Sequence, residues 1–161
     1  MSTRLERFLA FSADATAFTR FELQGTGQAL EYLDTVVRIV GTTIVDRLLD
    51  LHASAVAAAA GDGASTDELL RRDILSDPQL GPVARNIVKI WFVGIWYELP
   101  REWTEAFGAR PGDVTFVVSG TAYTEGLLWP AIGANPPGAK APGYGSWAFP
   151  PHIPAPATHR L

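Results

Sequence analysis

The amino-acid sequence predicts an all-α protein, a small irregular helical bundle with an extended Pro/Gly-rich C-terminal arm. Three features predict it. Apolar residues recur at three- and four-residue intervals through most of the N-terminal part, the spacing that gathers side chains on one face of a helix. Ser, Thr, Asp, Gly and Pro fall at the joints between those stretches, where helices need caps and breaks. From Gly133 onward neither a helical nor a strand period survives. The division that follows is a helical domain over 1–134 and an arm over 135–161.

Taken in order, Leu5, Phe8, Leu9, Phe11, Ala15 and Phe18 hold helix-compatible spacings, with Ser12 placed as an N-cap that splits 5–23 into two short helices. Gly25 and Gly27 break the run. Leu30, Leu33, Val37, Val40, Ile44, Leu48 and Leu51 then mark one long amphipathic helix over 28–51, bent near Gly41 and continued by an Ala-rich stretch to position 60. Ser65-Thr-Asp-Glu68 reads as a capping box before a short helix that ends near Ser76. Asp77 followed by Pro78 opens the next helix, over 79–98, which Pro100 ends. A turn of helix at 102–107, a short extended piece at 114–118 and a last helix at 123–129, stopped by Pro130, complete the domain.

With 161 residues, 47% hydrophobic and 19% charged, the chain is globular in composition, and at this length folding buries roughly 68–70% of the unfolded surface. A net charge of −4 with no basic cluster argues against nucleic acid, whose phosphates must be neutralised by Lys and Arg. The lack of cysteine removes disulfides, thiolate metal sites and cysteine nucleophiles. The most apolar run, 87–99, contains Lys89 and falls short of the ~20 residues that span a bilayer. No apolar leader precedes the first helix. The sequence as it stands thus predicts a cytoplasmic protein; a signal carried elsewhere or by a partner would make it periplasmic.

Catalytic and cofactor patterns are weak. His52, His152 and His159 hold no metal spacing and read as solvated or tail histidines. Gly25/Gly27 and Gly61/Gly63 follow no strand and lack the further glycine of a dinucleotide turn. Asp67, Glu68, Glu102 and Glu105 read as helix-end acids that complement a dipole. Glu98 and Glu125 stand near aromatic residues, where burial shifts a carboxyl toward acid–base use; an arginine partner such as Arg85 or Arg101 is the commoner arrangement. No catalytic, cofactor-binding or metal-ligating residue is assigned.

The positive signal is aromatic. Five Trp are many for this length, and large rings beyond the needs of a core favour interfaces. Ile90-Trp91-Phe92-Val93-Gly94-Ile95-Trp96-Tyr97 is apolar all round a helix and reads mostly as core. Tyr144, Trp147 and Phe149 lie in an arm with few means of ordering itself, so they are expected to pack on a partner, together with Trp129 and Tyr97.

The order of several segments resembles one family. Phe8-Leu-Ala-Phe-Ser12 with Phe18, Leu23-Gln-Gly-Thr-Gly27, Ile87-Val-Lys-Ile-Trp91, Gly94-Ile-Trp-Tyr97, Tyr123-Thr-Glu-Gly-Leu-Leu-Trp129, Gly138-Ala-Lys-Ala-Pro-Gly-Tyr-Gly-Ser-Trp147 and Pro150-Pro151 together resemble the small subunit of FAD-dependent sugar and polyol (sorbitol, fructose, glucose) dehydrogenases. The resemblance implies a non-catalytic helical subunit that binds and stabilises a large flavoprotein of the glucose–methanol–choline type and assists its folding or maturation. It places FAD and catalysis in that partner and allows a third, haem-containing electron-transfer subunit. Family members typically carry a twin-arginine signal and some a tethering cysteine; this sequence shows neither. Two other readings stand beside it: a helical module that binds a small ligand, and an independent enzyme using Glu98, Glu125 or Tyr123.

Overall fold

The computed structural model describes residues 2–60 and 62–136, and over them the chain is predominantly α-helical. Helix α1 (Arg4–Thr16) starts at a capping box in which the Thr3 hydroxyl accepts the Glu6 N–H and the Glu6 carboxylate accepts the Thr3 N–H. It runs unbroken through Ser12, which is therefore not a cap. The Ser12 hydroxyl is engaged across the core by the indole N–H of Trp91, at 2.9 Å, and so does not compete for its own backbone. The joint falls instead at Ala17, in the left-handed region, and a second capping box (Thr19 with Glu22) starts α2 (Arg20–Gly25).

The expected bend at Gly41 is a complete break. Its φ of 88° lies in the region that L side chains avoid, and it separates α3 (Ala29–Val40) from α4 (Thr42–Ala59). The buried face of α3 is Ala29, Tyr32, Leu33, Thr35, Val36, Ile39 and Val40, and Leu30 is left 58% exposed. Helix α5 (Gly63–Leu70) also differs from expectation at its start. The carboxylate of Asp62 accepts both the N–H and the hydroxyl of Ser65, so Asp62 caps the helix and Ser65 sits inside it. A π-helical turn (Arg71–Leu75) follows directly.

Asp77 caps as predicted, its carboxylate accepting the Gln79 and Leu80 N–H groups at 2.8 Å, but α6 (Leu80–Val93) begins after Pro78, which lies in the preceding turn rather than at the first helical position. That helix stops earlier than its apolar pattern suggests. Gly94 takes φ 67°, and a Cβ there would lie 2.6 Å from the carbonyl carbon and oxygen of Ala122. The chain therefore leaves the helix, and Ile95 and Trp96 form β1 (Ile95–Trp96). After α7 (Arg101–Phe107) comes β2 (Phe116–Val117), antiparallel to β1 with Ile95 opposite Val117 and Trp96 opposite Phe116. The last helix proves to be two, α8 (Gly120–Thr124) and α9 (Leu128–Ala131), because the Leu127 N–H is donated to the Trp91 carbonyl rather than to its own helix. Pro130 lies within α9, in the first turn, where no N–H is required of it.

Helices α1, α3, α4 and α6 each pack against the other three and form the core. Trp91 is its centre, stacked on Phe8 (6.2 Å) and met edge-on by Tyr32 (4.9 Å). Trp91, Trp96 and Trp103 are all buried, so most of the aromatic surplus is spent inside the domain.

Candidate functional site

The surface divides into two regions. On one side α1 and α4 are joined by Arg4 with Asp46 and by Arg7 with Asp50, and Arg47 of α4 pairs with the capping carboxylate of Asp77. His52 belongs to this side. It is buried rather than solvated, its Nε2 stands 2.7 Å from the Asp14 carboxylate, and its ring meets Phe11 edge-on.

The other region is the end where α2, α3, β2, α8 and α9 meet. Phe21 (84% exposed), Leu30, Val117, Tyr123 and Ile132 all stand on these elements, and they are most of the exposed large apolar side chains among the described residues. Acids collect there as well: Glu22, Glu31, Asp34 and Glu125. Glu31 accepts from the Ser119 hydroxyl at 3.1 Å, and Arg38 lies over the Phe116 ring. Burial first, and then the charges of Glu31 and Glu125, push the Tyr32 hydroxyl well above its ordinary range.

A groove of about 430 Å³ opens between α2 and the α8–α9 segment. Phe18, Trp129, Pro130 and Pro136 are apolar walls, and Glu22 and Glu125 are the charged residues of the lining among the described residues. Trp129 is half-buried and held in place. Its indole N–H donates to the Tyr123 carbonyl at 2.8 Å, and the Tyr123 ring meets it edge-on at 5.4 Å. Tyr97 lies apart from this groove's lining, half-buried with the Lys89 ammonium 4.8 Å over its ring. The strand around it is clamped by Asn86, whose amide donates to the Tyr97 carbonyl and accepts the Tyr97 N–H. Tyr144, Trp147 and Phe149 lie outside the described residues, as does the arm beyond Pro136.

A second concavity, about 380 Å³, lies between α1 and the α5–π-turn–α6 wall. Phe11, Leu70, Ile74 and Val88 line its apolar part, with Asp14, Asp67 and Arg71 among the polar residues. The residues considered for acid–base chemistry are not gathered in either place. Glu98 is exposed and its N–H donates to Thr115, while the groove holds Glu125 but neither Glu98 nor Tyr123. Among the described residues no group of three metal-ligating side chains occurs, and no helix is long and apolar enough to cross a membrane.

The buried carboxylate that sequence reasoning missed is Asp113. It accepts the Trp96 indole N–H at 2.8 Å and the Leu99 N–H at 3.2 Å, pinning the β1–α7 connection. Such a partner shows in no local pattern, because its donors arrive from 14 and 17 positions away.

No family model, curated protein or solved structure matches this chain. The reading of its function therefore rests on the surface just described and on the sequence resemblance.

Proposed function

We propose that the chain is a non-catalytic small subunit that binds and stabilises a larger FAD-dependent dehydrogenase or oxidase. The observation that carries this reading is the exposed apolar end built by α2, α3, β2, α8 and α9. Exposed apolar residues scattered singly need no explanation, but several on elements that meet at one end mark a surface suited to cover by another protein. A flavoprotein of the glucose–methanol–choline type is the partner that the resemblance implies. On this reading FAD sits in that partner, and the resemblance allows a third, haem-containing subunit for electron transfer.

Co-expression with a flavoprotein of the glucose–methanol–choline type from the same genome tests the proposal. The expected outcome is a stable complex and a higher yield and flavin content of the large subunit. A chain that stays monodisperse alone and alters neither quantity removes the reading. Within a complex, Trp147→Ala is expected to weaken association by about 2 kcal/mol while leaving the helicity of the isolated chain unchanged.

The apolar concavity beside the π-helical turn favours a second reading, a module that holds a small apolar ligand. Filling it with Val88→Trp is expected to abolish uptake of an apolar dye such as anilinonaphthalene sulfonate. Dye binding that survives this change places the ligand elsewhere.

A further inference from the structure

The concavity between α1 and the α5–π-turn–α6 wall joins an apolar lining to a carboxylate held by a buried histidine. Phe11, Leu70 and Ile74 are core residues, so this part of the lining is packed in place before any ligand arrives. Asp14 lines the same space with its side chain 40% exposed, and the His52 Nε2 that meets it at 2.7 Å is buried, its ring edge-on to Phe11. That contact uses one oxygen, Oδ2, and a carboxylate has acceptor capacity for further donors. Asp14 also stands in the last turn of α1, which carries no basic residue, so the partial negative charge of the helix end adds to its own. Among the described residues the other charged members of the lining are Asp67 and Arg71, four apart along one helical run, where opposite charges offset each other. Asp14 therefore sets the polarity of the site. A primary ammonium brings three donors to such a carboxylate in charge-assisted hydrogen bonds, and an anionic head group would meet like charge.

Resting on the reading of this concavity as a ligand site, we propose that it takes a small primary amine with an apolar body. The ammonium donates to Asp14, and the apolar part lies against Phe11, Leu70, Ile74 and Val88. A volume of about 380 Å³ is near the low end of ordinary ligand sites, with room for a single ring on a short linker. A free amine is favoured over a lysine side chain of another protein. Lysine would enter charge-first and bring its ammonium to the apolar residues, whereas a free amine enters body-first and leaves its charge at the partly exposed Asp14.

The test is an NMR titration of the isotope-labelled full chain with 2-phenylethylamine, run beside 2-phenylethanol and 3-phenylpropionate, which keep the phenyl body and change the head group. Backbone shifts are expected at Phe11 to Ala15 and at Leu70 to Leu75. The amine is expected to bind about tenfold more tightly than the alcohol, the scale of one charge-assisted hydrogen bond. Asp14→Asn keeps an oxygen for His52 while removing the charge, and is expected to weaken the amine about tenfold and the alcohol by less than about twofold. Val88→Trp is expected to abolish the shifts from all three probes. Equal binding of amine and alcohol overturns the amine assignment and leaves the ligand site standing. Tighter binding of the carboxylate does the same and makes Arg71 the head-group partner. Amine shifts that survive Val88→Trp place the amine elsewhere and overturn the proposal. No shift from any of the three probes at millimolar concentration removes the ligand site as well. If circular dichroism shows that Asp14→Asn does not fold, the comparison of the three probes on the wild-type chain decides.

Discussion

The α1–α4 side and the α2–α3–α9 end use the same types of residue for opposite purposes. On the first, each of Asp46, Asp50 and Asp77 is matched by an arginine, and Leu48 and Leu49 of α4 are buried. At the second, Glu22 and Asp34 form no such pair among the described residues, and Phe21, Leu30 and Ile132 are exposed. The paired side is complete within one chain. The other end leaves large apolar side chains exposed beside charged residues of both signs, Glu22 and Asp34 with Arg20 and Arg38.

The largest expected effect breaks the second region from beneath. Gly94→Ala places a methyl against the Ala122 backbone and forces a left-handed residue, so stability is expected to fall by about 3 kcal/mol, the sum of the strain and overpacking costs. Hydrogen exchange should accelerate at Tyr123 to Trp129 before it does in α1 or α4. Equal acceleration everywhere would mean that the two regions unfold as one.

Next comes the paired side. Asp77→Ala removes the cap of α6 and the Arg47 pair together and is expected to cost about 1–2 kcal/mol in chemical denaturation. Asp77→Asn keeps an oxygen for the cap and should lose less than about 1 kcal/mol, the scale of an exposed ion pair. If both variants lose the same amount, the pair rather than the cap governs this joint.

Acid titration separates the regions by cause. The hydrogen bond from Arg4 holds the Asp46 carboxyl below its usual range, whereas bonds from the Thr19 hydroxyl and N–H do the same for Glu22. Both folded values lie below the unfolded ones, so each contribution is fully present above about pH 4.3 and is lost as pH falls through the folded value. Added salt should reduce the Asp46 contribution, measured as the difference between wild type and Asp46→Asn, and leave that of Glu22 nearly unchanged.

The smallest effect is expected at the exposed apolar residues. Phe21→Ser with Leu30→Gln should move stability by no more than about 0.5 kcal/mol each, because neither residue is buried within the chain. Self-association at high concentration should fall, measured by sedimentation. A loss of several kcal/mol would instead assign this end to the core.

Much of the fold was legible before the structure. Asp77 as a cap, Gly41 as a joint, the helical turn ahead of Phe107 and the extended piece near Val117 all occur where their local chemistry requires them. The errors share one form. Ser12 looked like a cap and is an acceptor for Trp91, and the run 95–97 looked helical and is strand and connection. Leu30 fitted the apolar stripe and faces outward. In each case a partner distant in sequence decided the outcome against a local preference. The groove is half legible: the sequence marks Trp129 as a large aromatic suited to an interface and Glu125 as a carboxyl beside aromatic residues. Phe18, Glu22 and Pro136 join them only in three dimensions, where α2 and the α8–α9 segment line one groove.

By itself the sequence determined what local physics controls: helix content, most joints and the residues able to sit inside. Caps, breaks and apolar periods act within a turn or two of the backbone, so they can be read in order along the chain. Tertiary structure alone decided which apolar residues stay outside and which acids meet an arginine, as Asp46, Asp50 and Asp77 do. Those outcomes depend on contacts such as Tyr32 with Ala122 and Trp91 with Ser12, 90 and 79 positions apart. Burial is a property of the assembled surface, and no stretch of chain carries it alone.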